Sequence, residues 1–147
     1  MPSRSEHKTA GRERVFVALG SNLGDRQGHL QAAREALAAL PDTALIDVST
    51  VEETAPLGGK NQPAYLNQMV LLETSLDPRA LLTALQSIEH QQGRRRAEHW
   101  SSRTLDLDIV RFGDRQVHEP DLIIPHPELP NRDFWQRELW EIESHAR

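Results

Sequence analysis

Apolar residues fall in short blocks along this chain, and the period inside each block predicts an element. Val15-Phe16-Val17-Ala18-Leu19 is a continuous β-branched and aromatic run closed by Gly20, the pattern of a buried central strand. Gly20-Ser21-Asn22-Leu23-Gly24-Asp25 breaks it, and from about Asp25 to Leu40 the residues Leu30, Ala33, Leu37 and Leu40 recur at helical spacing until Pro41 stops them. Ile46, Val48 and Thr50 alternate with Asp47 and Ser49, which predicts a strand with one wet face running to about Glu53. Residues 54–63 carry two prolines and two glycines and read as a long loop. Leu66 to Glu73 supplies a third strand. Pro78 suits the first turn of a second helix that presents Leu81, Leu82, Leu85 and Ile88 on one side and ends at Gln91-Gln92-Gly93. Residues 93–103 show no apolar period and read as an exposed loop, and Thr104 to Phe112 is a fourth strand.

The order strand, helix, strand, strand, helix, strand is that of a ferredoxin-like βαββαβ α+β sandwich, an antiparallel sheet with helices packed on one face. Beyond Gly113 an irregular C-terminal extension is expected, because Pro120, Pro125, Pro127 and Pro130 deny regular structure until about Asp133. A short helix over Phe134 to Glu143 follows. Residues 1–13 are polar and read as a flexible N-terminal tail, leaving 14–147 as a single domain.

Composition narrows the chemistry. The 147 residues fit one domain on the usual scale of ~100–200 residues. With 22 Asp and Glu against 17 Lys and Arg the net charge is -5, which disfavours a nucleic-acid partner. Cysteine is absent, so disulfides, thiolate nucleophiles and thiolate metal sites are excluded. No apolar run approaches the ~20 residues that span a bilayer, and none after the polar N-terminus is long enough for a signal-peptide core. A soluble, cytoplasmic protein without a membrane partner is expected.

The sharpest chemical feature is Leu105-Asp106-Leu107-Asp108-Ile109: strand alternation sends both carboxylates to one face and the aliphatics to the other. Two like charges side by side need a compensating cation, and Mg²⁺ is the simplest candidate, since it takes one or two carboxylates and leaves its other positions to water and phosphate. The competing explanation is a solvated face on an edge strand. Arg94, Arg95, Arg96 and Arg103 crowd into the residues just before the pair, in an acidic protein. Guanidinium groups grip phosphate oxygens bidentately, so carboxylates beside an arginine loop suit polyphosphate chemistry, with Trp100 available to lie against a base or ring. The competing explanation there is a basic loop paired with surface acids. Tyr65 and Asn67 face the same way on the third strand, an aromatic face beside an amide, which suits a flat heterocycle with hydrogen-bonding edges. The turn at Gly20 to Gly24 fits neither G-x-G-x-x-G nor G-x-x-x-x-G-K-[ST], which excludes a Rossmann or P-loop enzyme. His126 is held between Pro125 and Pro127, and the histidines show no zinc-ligand spacing.

Taken together, Gly20-Ser21-Asn22-Leu23-Gly24, Thr54-Ala55-Pro56-Leu57-Gly58, Tyr65-Leu66-Asn67, Glu89 followed by Gly93-Arg94, and Trp100 with Arg103-Thr104-Leu105-Asp106-Leu107-Asp108-Ile109 resemble the 6-hydroxymethyl-7,8-dihydropterin pyrophosphokinase family of folate biosynthesis, in order from about residue 14 to 143. The resemblance implies transfer of diphosphate from ATP, as co-substrate, to the hydroxymethyl group of 6-hydroxymethyl-7,8-dihydropterin, with release of AMP. It implies that Asp106 and Asp108 hold two Mg²⁺ ions, with Arg94 and Arg103 completing the catalytic set. ATP contacts then fall to Gln86, Glu89, Arg96, Trp100, Arg103, Ile109, His126 and Arg132. Pterin contacts fall to Thr54, Pro56, Leu57, Gly58, Tyr65, Asn67 and Phe134, and segments 54–63 and 93–103 correspond to the family's lids. The partners implied are these two small molecules, with the protein a monomer.

The chain departs from the family pattern at Ser101-Ser102, where Gly-Pro is common, at His99, where arginine is frequent, and at Asp121 and Ile123. A divergent member that binds pterin or nucleotide without turnover is the alternative these changes raise. A ferredoxin-like RNA-binding module would need sheet aromatics and a basic face, which 5% aromatic residues and the negative charge do not supply.

Overall fold

The computed structural model describes residues 11–55, 63–93 and 104–146. Its central strand is β1 (Glu13–Ser21), which pairs antiparallel with β4 (Tyr65–Thr74) on one side and β5 (Asp106–Phe112) on the other. β2 (Thr43–Val48) and β3 (Glu52–Thr54) both pair with the outer side of β4, so the sheet runs β2-β4-β1-β5 with β3 beside β4. Helix α1 (Arg26–Ala38) joins β1 to β2, and α2 (Pro78–Gln91) joins β4 to β5. This is the expected ferredoxin-like order.

Alternation along β1 and β4 divides the molecule into two layers. Val15, Val17 and Leu19 of β1, with Leu66, Val70 and Leu72 of β4, face one way and pack against Leu30, Ala33 and Leu37 of α1 and Leu81, Leu85 and Ile88 of α2. Local chemistry fixes both helix starts: Asp25 Oδ1 accepts from Gly28 N at 3.0 Å, and Asp77 Oδ1 accepts from Ala80 N at 2.8 Å ahead of Pro78.

The C-terminal extension is more ordered than its prolines predict. It forms a hairpin of β6 (Val117–Glu119) and β7 (Leu122–Ile124), a 3₁₀ turn at Leu129–Asn131 and helix α3 (Asp133–His145), with a cis Ile124–Pro125 peptide between hairpin and turn. Trp135, Leu139 and Ile142 of α3 pack on Ala18, Met69, Leu71 and Val110, so this helix covers part of the sheet's second face while α1 and α2 cover the first.

Two expectations about strands need correcting. The single strand expected from Ile46 to Glu53 is two strands parted at residues 49–51. Ser49 is the cause: its N–H donates to Met69 O at 2.8 Å while its hydroxyl accepts from Met69 N at 2.9 Å, a side chain standing in for the ladder. The register also slips between Leu45 and Asp47, which leaves Ile46 as the spare residue of a bulge, 43% exposed, while Leu45, Val48 and Val51 make the core contacts. The fourth strand begins at Asp106, not Thr104.

Candidate active site

The part of the second face that α3 leaves open carries most of the described site residues. Gly20 lies at the centre of a row, opposite Asn67 on β4 and opposite Asp106 on β5. One register step along, Ala18 lies between Met69 and Asp108. Both carboxylates therefore stand on one face, as alternation predicts, while Leu105, Leu107 and Ile109 are buried in the first core. Asp108 keeps a side chain 40% exposed.

With no side chain at Gly20, the row has a trough between Asn67 and Asp106. The Tyr65 ring lies over it, its Cδ1 3.5 Å from where a Cβ on Gly20 would stand, and Tyr65 Oη reaches Asp106 Oδ2 at 3.5 Å, a weak hydrogen bond. Asn67 Oδ1 borders the same point at 3.4 Å, and Asn67 Nδ2 donates to Thr54 Oγ1 at 2.5 Å. Thr54, Tyr65 and Asn67 thus form one connected patch beside the acidic pair. The chain leaving segment 56–62 is pinned there: Asn22 Nδ2 donates to Pro63 O at 3.2 Å and Arg26 Nη1 to Ala64 O at 2.9 Å.

His126 comes from the extension. Its backbone N–H donates to Val110 O at 3.0 Å, which docks this loop on β5, and its Nε2 lies 3.7 Å from Asp108 Oδ1. Glu128 N donates to His126 Nδ1 at 3.0 Å, so in the neutral ring the proton sits on Nε2, toward the carboxylate. The imidazole stands edge-on to Trp135 with centroids 4.9 Å apart, and the Arg132 guanidinium lies over the same indole at 4.4 Å. Phe134 begins α3 beside Trp135, at a centroid distance of 6.3 Å. Arg132, Phe134 and His126 are thereby organised around one buried indole at the rim of the carboxylate face.

Other expected residues sit elsewhere. Gln86 is exposed on α2, on the sheet's first face, and the Ile109 side chain lies in the first core. Glu89 is buried on α2, and its Oε2 accepts from Leu107 N at 2.7 Å, satisfying a backbone donor on the free edge of β5. Pro56, Leu57, Gly58, Arg94, Arg96, Trp100 and Arg103 lie outside the described residues.

Three residues that shape this face or lie beside it were not among the expected site residues. Gly20 reads as a turn residue in sequence, yet the structure makes it the floor of the trough. Trp135 anchors His126 and Arg132. Glu138 is buried on α3 among apolar residues, and among the described residues neither carboxyl oxygen has a hydrogen bond of ordinary geometry. Burial first, and Glu52 second, push its carboxyl up to about 10. Glu52 is held below the ordinary range despite its partial burial, by Glu138 and by Arg137, whose Nη2 donates to Glu52 Oε1 at 2.9 Å. The sequence signal was an acidic residue on the apolar stripe Trp135, Leu139 and Ile142 at helical spacing.

A cavity of about 540 Å³ opens at the far end of β1 and β5, lined by Phe16, Arg111, Pro125 and Glu143 among others. None of the expected site residues lines it, and Arg111 and Arg115 there are paired with Glu143 and Glu13 at 3.5 and 2.8 Å. The expected site residues that the structure describes gather instead on and around the carboxylate face. Two carboxylates there fit Mg²⁺: among the described residues no third acidic or imidazole group completes an all-protein cage, so water and phosphate oxygens are left to fill the coordination sphere, as this ion prefers.

Comparison with known proteins shows the family of the chain. Residues 16–144 match the family model of 7,8-dihydro-6-hydroxymethylpterin-pyrophosphokinase. The chain is 43% identical over 130 residues to the 2-amino-4-hydroxy-6-hydroxymethyldihydropteridine pyrophosphokinase of Haemophilus influenzae, covering 88% of this chain and 81% of that one. It is 46% identical over 122 residues to the protein of the same name from Pseudomonas aeruginosa, covering 83% and 75%. The Bacillus subtilis counterpart is 40% identical over 128 residues, covering 87% and 77%.

Proposed function

This chain belongs to the 7,8-dihydro-6-hydroxymethylpterin-pyrophosphokinase family, and we propose that the open carboxylate face, together with the arginines of segment 94–103, is where its reaction takes place. The protein transfers diphosphate from ATP to the hydroxymethyl group of 6-hydroxymethyl-7,8-dihydropterin, a step of folate biosynthesis. The observation that carries the site assignment is the row Asn67–Gly20–Asp106, which sets a hydrogen-bonding amide and an aromatic ring one strand away from a pair of carboxylates.

On this reading Asp106 and Asp108 would hold two Mg²⁺ ions, leaving the other coordination positions to water and phosphate oxygens. When bound, Mg²⁺ supplies charge neutralisation at the phosphate oxygens as the bond to the leaving AMP breaks. Arg94, Arg96 and Arg103 grip the same phosphates in bidentate fashion, Arg103 nearest the transferred group. His126, with its Nε2 proton directed at Asp108, and Arg132, stacked on Trp135, bind the nucleotide from the rim, with Trp100 beside them; Gln86 and Glu89 of α2 and Ile109, whose side chain is in the first core and which can therefore contribute only its backbone, flank the nucleotide where it passes the β5 edge. The pterin ring lies in the trough over Gly20 between Tyr65 and Phe134. Asn67 hydrogen-bonds its polar edge, and Thr54, Pro56, Leu57 and Gly58 close that side. The hydroxymethyl oxygen attacks the β-phosphorus in line, and no covalent enzyme intermediate forms. Exclusion of water from the closed site stops it from competing as the phosphate acceptor. The substrates are small molecules, and no described helix is long and apolar enough to cross a membrane. We place the protein in the cytoplasm as a monomer.

A magnesium-dependent nucleotide assay with and without the pterin tests this. AMP and pterin diphosphate in equal amounts, only when both substrates and Mg²⁺ are present, are expected. Release of ADP would overturn the reaction assigned, and nucleotide binding without AMP release would make the chain a binding protein.

A further inference from the structure

One buried ionisable side chain has no part in the assignment above. Glu138 is the one charged residue among the four buried positions of α3, one helical turn beyond Phe134. Both its carboxyl oxygens are buried without a hydrogen bond of acceptable geometry among the described residues, a state that native folds seldom keep without a use. The ionisable group it feels most strongly is Glu52 on β3. Glu52 stands directly opposite Asn67 and two residues before Thr54, so all three share the carboxylate face, and Asn67 is tied to Thr54. The charged groups that act on Glu138 are Glu52 from β3 and Arg137 and Glu141 from its own helix, while the same face of β4 presents Tyr65, Asn67, Met69, Leu71 and Glu73, the last of these facing Arg14 at 3.9 Å.

We propose that Glu138, as the neutral acid, is a positioning residue of the pterin pocket: with Glu52 it holds α3, which carries Phe134, at a fixed distance from the β3–β4 edge, which carries Thr54 and Asn67. The physical reason is that a neutral carboxyl has a proton to share with the half-buried Glu52 carboxylate, whereas an ionised Glu138, buried beside it, would repel it and drive the helix from the strand. Burial above all, then Glu52, keeps Glu138 protonated up to about pH 10, so the pocket holds its width at neutral pH and loosens in alkali. This inference rests on the pterin lying between Tyr65 and Phe134.

The test is calorimetric titration with 6-hydroxymethyl-7,8-dihydropterin in the presence of Mg²⁺ and a non-hydrolysable ATP analogue, from pH 7 to 10.5. It compares wild type with Glu138→Gln, Glu138→Leu and Asn67→Ala, each checked by thermal melting. Glu138→Gln keeps the shape and the donor but cannot titrate, so dividing by its Kd cancels the ionisation of the pterin. The wild-type Kd is expected to rise relative to that of Glu138→Gln by about tenfold across the range, the equivalent of one hydrogen bond to a charged group. Glu138→Leu is expected to weaken pterin binding about fivefold at pH 7 while leaving the ATP KM unmoved, a split that general loosening of the fold would not give. Parallel pH curves for wild type and Glu138→Gln refute the proposal, as does wild-type pterin affinity in a folded Glu138→Leu. If the leucine variant does not fold, the ratio to Glu138→Gln decides alone. Asn67→Ala separates the premise from the inference: unchanged pterin binding in that variant overturns the pocket itself, whereas lost binding there with silent Glu138 variants overturns only the role of Glu138.

Discussion

Substituting Gly20 by alanine separates the fold from the pocket, because the structure gives both sides of the comparison. The added Cβ would meet Asn67 Oδ1 at 3.4 Å and Tyr65 Cδ1 and Cε1 at 3.5 and 3.8 Å, all ordinary van der Waals distances. Gly20 also pairs within the regular strand register of β1 with β4 and β5, so no special backbone conformation is lost. A glycine in a strand interior costs about 0.5–1 kcal/mol in chain entropy relative to alanine, and this gain offsets slight crowding. The net change in stability is therefore expected within about 1 kcal/mol, a few degrees in Tm. The pocket fares differently. The methyl group stands in the trough between the Asn67 amide and the Tyr65 ring, under the proposed pterin position, and inserting such a group into a fitted site typically costs about 1–3 kcal/mol. That corresponds to roughly 5- to 150-fold in pterin Kd. Calorimetry with the pterin, a melt, and an ATP KM on the same preparation measure all three quantities. Wild-type pterin affinity in a folded Gly20→Ala would show that the ligand does not use this trough. A Tm loss of ten degrees or more would show that the row is packed more tightly than these distances allow.

Asp108→Ala should lose at least ~10²-fold in kcat while melting within a few degrees of wild type, since its side chain is 40% exposed and His126 Nε2 lies 3.7 Å away, beyond hydrogen-bond distance. An unfolded variant in a circular dichroism melt would assign Asp108 a structural role instead. Glu138 holds its proton more tightly when folded, with a value of about 10, than at the ordinary 4.5 of an unfolded chain. Its stabilising contribution is thus complete below about pH 4.5 and is lost as the pH climbs toward 10, at a little over 1 kcal/mol per pH unit. Urea unfolding at pH 6 and pH 9 should show wild type losing about 4 kcal/mol more than Glu138→Gln. Equal losses would mean that Glu138 is already ionised in the native state.

What was legible in the sequence was whatever repeats at short range. Val15 to Leu19, Leu66 to Glu73 and the leucines of α2 appeared as elements because a strand alternates every two residues and a helix turns every 3.6, whatever lies across from them. The same rule put Asp106 and Asp108 on one face and Leu105, Leu107 and Ile109 on the other. Failures came where a distant partner overrode the local period. Ser49 splits one strand into β2 and β3 by bonding Met69, twenty positions away, and the bulge at Ile46 turns outward a residue whose neighbours pointed to the core.

Chain chemistry alone thus determined the order of the elements, the absence of thiol chemistry and the acidic pair, since these follow from covalent geometry and side-chain type. Only the folded molecule decided that α3 covers part of the second face and, among the described residues, leaves the row of Asn67, Gly20 and Asp106 uncovered by a helix, that Gly20 becomes a trough between β4 and β5, that His126 arrives beside Asp108, and that Glu138 is buried. Each of those depends on which surfaces meet across the sheet, and that choice is made by burial of apolar area summed over residues far apart in the chain, which no local period encodes.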